Sequence, residues 1–362
     1  MFLLLKKTVI VITIALILSI GIDILYRQTY HKKYQWPKNI WIMPDIPHKY
    51  QIVKLGNSHA DDGLTFANYN LRSIALSSAA QSFEYDLAML KMYQNQIDKR
   101  AIIVINVSPM SFSQKKPDKA ESLQYKYYDG RLSPFLIPHI QAGDYIQSQI
   151  IPFVRAVTLW RDDHAKEVKN KAMNTYAANW TIPQEEISPK VEITPKITKI
   201  PSRDSIAITP KKSAEEELDE APFSPDDRLQ VSVNFMVQKW LYSGGFGRED
   251  LETNSKDLEK LIKYSLEKGW RPVLISIPIS QRLINGLGGN YMENFLYKPL
   301  KKTNLHGSDF FDFSAYKKLR ESAHFYTNSD HLSENGAHIV SHMLIERLIL
   351  KGYITEKENG FN

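Results

Sequence analysis

The run Ala101-Ile102-Ile103-Val104-Ile105-Asn106-Val107 constrains the fold more than any other stretch of the chain. It is continuous and rich in β-branched residues, the pattern of a strand buried within a parallel sheet. Similar short runs recur along the chain: Ile52 to Leu55, Arg72 to Leu76, Val273 to Pro278 after the Arg271-Pro272 pair, and Phe310 to Phe313. Helical patterns fall between them. Phe83 to Ile97 places Phe83, Leu87, Leu90 and Tyr93 at helical spacing, and regular structure is expected over Arg228 to Tyr242 and Tyr291 to Leu300. Asn254 or Ser255 can cap a helix running to Lys268, with Leu258, Leu261, Ile262 and Leu266 as its buried stripe and Gly269 as its stop. Ser333 is placed to cap a last helix from Glu334 to about Leu350. Strands alternating with helices predict an α/β domain with a parallel sheet.

The N-terminus obeys a different rule. Thr8 to Leu25 is almost wholly apolar and follows Lys6-Lys7, and about 20 such residues cross a bilayer as a helix. Ser19-Ile20-Gly21-Ile22-Asp23 makes a poor cleavage site, so residues 1–27 read as an uncleaved transmembrane anchor. Basic residues flank the span on both sides, Lys6 and Lys7 against Arg27, His31, Lys32 and Lys33, which nearly balances the positive-inside count. Residues 28–50, with Trp36, Pro37, Trp41, Pro44 and Pro47, read as a juxtamembrane stalk.

Residues 51–180 form the first part of the domain and residues 226–362 the second. Between them, 181–225 is a Pro-rich, low-complexity insertion with the near-repeat PKVEITPKITKIP, too polar to fold alone. The aromatics scattered over Gln114 to Trp180 are more simply core and surface residues than a groove for sugar rings. Gly244-Gly245-Phe246-Gly247 lacks the strand and the lysine of a phosphate loop. At 362 residues and 43% hydrophobic, the chain can bury a large core without a second full domain. A net charge of +6 spread along this length does not indicate nucleic-acid binding. The absence of cysteine excludes disulfides, thiolate metal sites and a cysteine nucleophile together.

The chemistry concentrates in two remote stretches. Ile52-Val53-Lys54-Leu55 breaks at Gly56, and Ser58 follows in the turn that leaves the strand, where a hydroxyl stands clear of the sheet edge. A serine needs a general base, and Asn328-Ser329-Asp330-His331-Leu332-Ser333 offers His331 in an acidic turn before a new helix. The orienting partner of that imidazole is read as Asp330, which brings charge, with Asn328 as rival through its amide oxygen. His59 is read as structural or substrate-side, on the argument that neighbours in an extended segment point oppositely. No cofactor or metal is expected. Asp61 and Asp62 lack histidines at ligand spacing and read as a solvated turn, and His338 and His342 lack the glutamate of a zinc helix.

Gly56-Asn57-Ser58 resembles the first block of the SGNH (GDSL-like) hydrolases, and Asn328 to Leu332 resembles their last block. The family's middle blocks supply a glycine and an asparagine to the oxyanion hole, so the resemblance implies Ser58 N–H, one N–H from Ala79 or Ala80, and the Asn106 side chain as the oxyanion candidates. The matching regions here are Ser77-Ser78-Ala79-Ala80-Gln81-Ser82 and Ile105-Asn106-Val107-Ser108, and Asn328 stands where the family has aspartate. The resemblance implies a three-layer αβα sandwich with a parallel sheet, carrying a serine esterase or O-acyltransferase site. With the anchor, it implies work on acyl esters of a cell-surface glycan or other envelope polymer, outside the membrane. A multi-span membrane partner would then bring the acyl donor across. The alternative is a non-catalytic scaffold in polymer modification or export, and a soluble lipase-like enzyme is a third option.

Overall fold

The computed structural model describes residues 2–26, 49–113, 127, 132–140, 142–143, 145–146, 213, 228–242 and 250–355. The stalk up to residue 48, most of the aromatic stretch over 114–180, nearly all of the Pro-rich insertion and Gly244 to Gly247 lie outside the described residues. Two compact units are set apart by their internal contacts, Met1–Trp36 with Ala142–Ala207, and Pro37–Gln141 with Ile208–Asn362.

In the first unit, helix α1 spans Phe2–Tyr26. Its stretch Lys6–Leu25 has a mean hydropathy of 2.6 and is long and apolar enough to cross a membrane. The Thr13 and Ser19 hydroxyls donate back to Val9 O and Ala15 O, each at 2.8 Å, so neither adds an unsatisfied group to that apolar surface.

The second unit is built on five parallel strands in the order β2-β1-β3-β4-β5. These are β1 (Tyr50–Leu55), β2 (Ser73–Ala75), β3 (Ile97–Asn106), β4 (Arg271–Ser276) and β5 (Asp309–Asp312). Register pairs Val53 with Ile103, Val104 with Val273 and Ile275 with Phe311. Burial follows the order: Ile52–Leu55, Ala101–Asn106 and Pro272–Ser276 are buried in interior strands, while β2 and β5 at the two edges are half-buried. The continuous apolar runs are therefore the strands with neighbours on both sides. Because all strands run one way, Leu55, Ala75, Asn106, Ser276 and Asp312 end at one edge of the sheet. The chain goes from β1 outward to β2 and then returns past β1 to β3, so the connections diverge between β1 and β3. That is where open α/β sheets form a crevice.

The remaining elements used below are α2 (Ser58–Gly63), α3 (Phe83–Tyr93), α4 (Pro109–Ser113), α5 (Arg228–Tyr242), α6 (Leu251–Glu267), α7 (Gln281–Leu287), α8 (Lys298–Lys302), α9 (Lys317–Glu321) and α10 (Glu334–Leu350). Three differ from the sequence expectation. Helix α3 stops at Tyr93, and β3 starts at Ile97 rather than at Ala101. Asn254 and Ser255 lie inside α6 instead of capping it, because the Asn254 amide donates across the core to Phe112 O at 2.6 Å. The helix expected over 291–300 widens into a π-turn at Glu293–Tyr297 before α8. Gly269, at φ +76°, does end α6, and the Ser333 hydroxyl accepts from Gly336 N at the start of α10.

Candidate functional site

The serine side is built by backbone geometry. At the end of β1, Gly56 takes φ +123°, and a Cβ there would stand 3.0 Å from the Asn106 Cβ, so only glycine makes this turn. Its N–H donates to Asp86 Oδ1 at 3.0 Å, a fully buried carboxylate on α3 that also accepts from Gln81 Nε2 at 2.5 Å. Asn57 then caps α2: its Oδ1 accepts from His59 N at 3.1 Å and from Asn106 Nδ2 at 3.3 Å, while its Nδ2 faces the Ser108 and Ser111 hydroxyls at 3.4 Å each. Ser58 is thereby the first residue of a short helix. At the far end of that helix the buried Lys54 ammonium donates to Asp61 O at 3.0 Å and Leu64 O at 2.9 Å, where carbonyls lack helical partners. Burial lowers the Lys54 pKa, an effect that the nearby Asp61 and Asp62 carboxylates partly offset.

The histidine side is built by a closed loop. Tyr326 and Leu332 form an isolated antiparallel bridge, Thr327 N donates to His331 O at 3.0 Å, and Asn328 Oδ1 accepts from both Asp330 N at 3.1 Å and His331 N at 2.9 Å. Such side-chain acceptance is the turn chemistry that asparagine favours. Ser329, wholly buried, ties the loop to the rest of the domain: its N–H donates to the Ser232 hydroxyl of α5 at 3.0 Å, and its carbonyl accepts from Ser280 N at 3.0 Å. The two sides are joined again where Ser341 of α10 accepts from Thr65 N at 2.8 Å.

Between them, Ser58 Oγ and His331 Nε2 stand 2.8 Å apart, although 273 residues separate them in the chain. On the other ring nitrogen, Nδ1 faces two acceptors, Asn328 Oδ1 at 3.1 Å and Asp330 Oδ1 at 3.3 Å. Asn328 has the better hydrogen-bond geometry and Asp330 supplies the charge, so the structure brings both orienting candidates to one nitrogen. Although adjacent in sequence, the Asp330 and His331 side chains converge. Burial alone would raise the Asp330 carboxyl, but hydrogen bonds from His331 and His59, with the charges of those rings, hold it well below the ordinary carboxylate value. Burial also lowers the His331 imidazole, yet the Asp330 hydrogen bond and charge, helped by Asp62, leave it raised above its usual value.

The oxyanion candidates are placed unequally. Ser78 N donates to Gly56 O at 3.0 Å, which lays the Ala79-Ala80 turn beside the Ser58 turn, with Ala80 at φ +52°. Asn106 is completely buried and gives its amide to Asn57.

Three readings of the local sequence change. His59 does not sit in an extended segment: it is helical, and its Nε2 lies 3.4 Å from Asp330 Oδ2, its ring edge-on to His331 at 5.0 Å between centroids. Asp61 and Asp62 are on α2 rather than in a solvated turn. Asp61 accepts from the Ser77 hydroxyl at 3.3 Å, and Asp62, one helical turn after Ser58, comes within 3.8 Å of His331 Nε2. His342 is buried beside Glu346, as a packing residue would be. Sequence reasoning missed Lys54 and Asp86. Their signal was a charge inside an apolar pattern, Lys54 in a strand run and Asp86 three residues after Phe83 and four before Leu90 on the buried stripe.

Among the described residues, His59, Asp330 and His331 are the set whose donor atoms, within 4.8 Å of one another, are close enough to grip a metal ion. Both rings are already turned on Asp330, and His331 on Ser58 as well, a donor set suited to passing a proton. Comparison with models of known protein families finds no match for this chain, and comparison with curated proteins finds none either.

Proposed function

We propose that the chain is a membrane-anchored serine acyl-transfer enzyme, an esterase or O-acyltransferase of SGNH type with a three-layer αβα domain. The observation that carries this reading is the 2.8 Å contact between Ser58 Oγ and His331 Nε2 at the crevice edge of a parallel sheet. Ser58 Oγ attacks an ester carbonyl while His331 Nε2 takes its proton. The same proton passes to the departing alkoxide, leaving an acyl group on Ser58. Water, or a second hydroxyl activated by His331, then releases that acyl group and restores the serine. Asp330, with Asn328, keeps the proton of the neutral ring on Nδ1 and steadies the imidazolium. Ser58 N–H and the Ala79-Ala80 turn are the oxyanion donors in this scheme; the burial of Asn106 argues against its taking part.

Helix α1 would hold the domain at the outer face of a bacterial-type membrane, where the acyl esters are those of a cell-surface glycan or similar polymer. A transferase of this plan needs a multi-span partner to carry its acyl donor across, because one helix offers no path for it. A second reading, a non-catalytic scaffold in polymer modification, is favoured by the commitment of the Asn106 amide to Asn57. One experiment divides the two. The folded full chain in detergent should hydrolyse an aryl acetate and take a fluorophosphonate label that Ser58→Ala abolishes. Absence of both in the wild-type chain would favour the scaffold.

A further inference from the structure

The site contains a second imidazole that the acyl-transfer scheme does not use. His59 follows the nucleophile on α2, and only 1% of its side chain is exposed. Among the described residues the ring's polar partner is Asp330, at 3.4 Å from Nε2, and its other nitrogen, Nδ1, is buried with no hydrogen-bond partner among them. A carboxylate can only accept, so facing Asp330 places the proton of a neutral His59 on Nε2 and leaves Nδ1 as a bare acceptor. Packing does not explain this choice of residue. A phenyl ring would fill the same space against His331 without leaving a nitrogen unsatisfied.

We propose that His59 is a positioning residue: it shares the Asp330 carboxylate with His331, fixing where that carboxylate points and limiting how much of its charge reaches the base. This rests on the acyl-transfer reading and extends it from a triad to two imidazoles on one carboxylate. Among the described residues, the groups that bear on the pair are few. Asp330 faces His331 on Oδ1 and His59 on Oδ2, and its charge also reaches the buried Tyr291. His331 faces Ser58 and Asp62 on Nε2, and Asn328 and Asp330 on Nδ1. With the His59 donor removed, His331 is the one imidazole left on Asp330, and the imidazolium persists to higher pH.

The test is an NMR titration of the histidine Cε1–H signals in the full chain in detergent, with the His331 signal assigned from His331→Gln. His59→Phe should move the His331 midpoint upward by on the order of one pH unit. His59→Asn, whose amide is too short to reach Asp330, should move it in the same direction. His59→Gln, whose amide nitrogen falls near the former Nε2, should restore it toward the wild-type value. If the Phe variant does not fold, the Asn and Gln pair carries the comparison. An unchanged or lowered midpoint in the folded variants that lack the donor would overturn the inference. Fluorophosphonate labelling of Ser58 is scored separately. A wild-type chain that never labels ends the acyl-transfer reading, while the titration still decides whether the two rings share Asp330.

Discussion

The two halves of the site are held by different physics. The serine turn is fixed by backbone: a positive φ at Gly56, a helix cap at Asn57, a buried carboxylate on the Gly56 N–H and an ammonium on the carbonyls at the end of α2. The histidine loop is fixed by side-chain charge and turn chemistry, with Asn328 folding the loop and Asp330 setting the electrostatics of the ring. Substitutions on the serine side should therefore cost stability first, and those on the histidine side should cost chemistry first.

The largest effect is expected where the halves meet. Ser58→Ala should lower ester hydrolysis by about 10,000-fold or more with the fold intact, read from initial rates alongside circular dichroism. Next is Asp330→Asn, which should cost at least about 100-fold in kcat/KM with little change in melting temperature. It should also move the acid limb of the pH profile. In the wild-type chain His331 is raised, and a base must be neutral to act, so activity should appear only above the ordinary histidine value of about 6.5. Removing the Asp330 charge should bring that limb down. For folding the direction is opposite: the raised His331 contributes stability below its unfolded value, which is lost as pH rises through the folded one. The depressed Asp330 contributes stability above the usual carboxylate range, and this is lost as pH falls through its folded value.

On the serine side, Gly56→Ala puts a Cβ at a positive φ against Asn106 and should destabilise the fold by up to about 3 kcal/mol, seen as a lower melting temperature. Lys54→Met keeps the aliphatic stem and strips two carbonyls of their donor, a loss of about 1–2 kcal/mol in denaturant unfolding. If either variant lost activity at full stability, the division between the halves would be wrong. The smallest effect belongs to Asp62→Asn. Its carboxylate is half exposed, and the acid limb should fall by only about a few tenths of a pH unit, a shift that added salt should erase in the wild-type chain.

Much of the architecture was legible because burial writes itself into apolar runs. The stretches around Val53, Val104 and Val273 became the interior strands, Ser333 caps the last helix, and the segment around Ile14 is apolar enough to cross a bilayer. Helix ends were less legible. Asn254 carries a cap's chemistry but serves a long-range bond to Phe112 O, which no local pattern records. Within the site, Ser58, His331 and Asp330 could be named from turn chemistry, and Asn328 from its place three residues before His331 in the SGNH-like block.

The sequence by itself determined the alternation of strands and helices, the apolar N-terminal span, and the residue types able to carry acyl-transfer chemistry, because all of these are local and periodic. Only the tertiary structure decided that Ser58 and His331 touch, that Asn328 and Asp330 reach the same nitrogen, that His59 joins them, and that Asn106 is spent on Asn57. Those outcomes depend on which strand ends become neighbours and on how far a turn rotates its side chains. Contacts across hundreds of residues fix both, and no single stretch of chain encodes them.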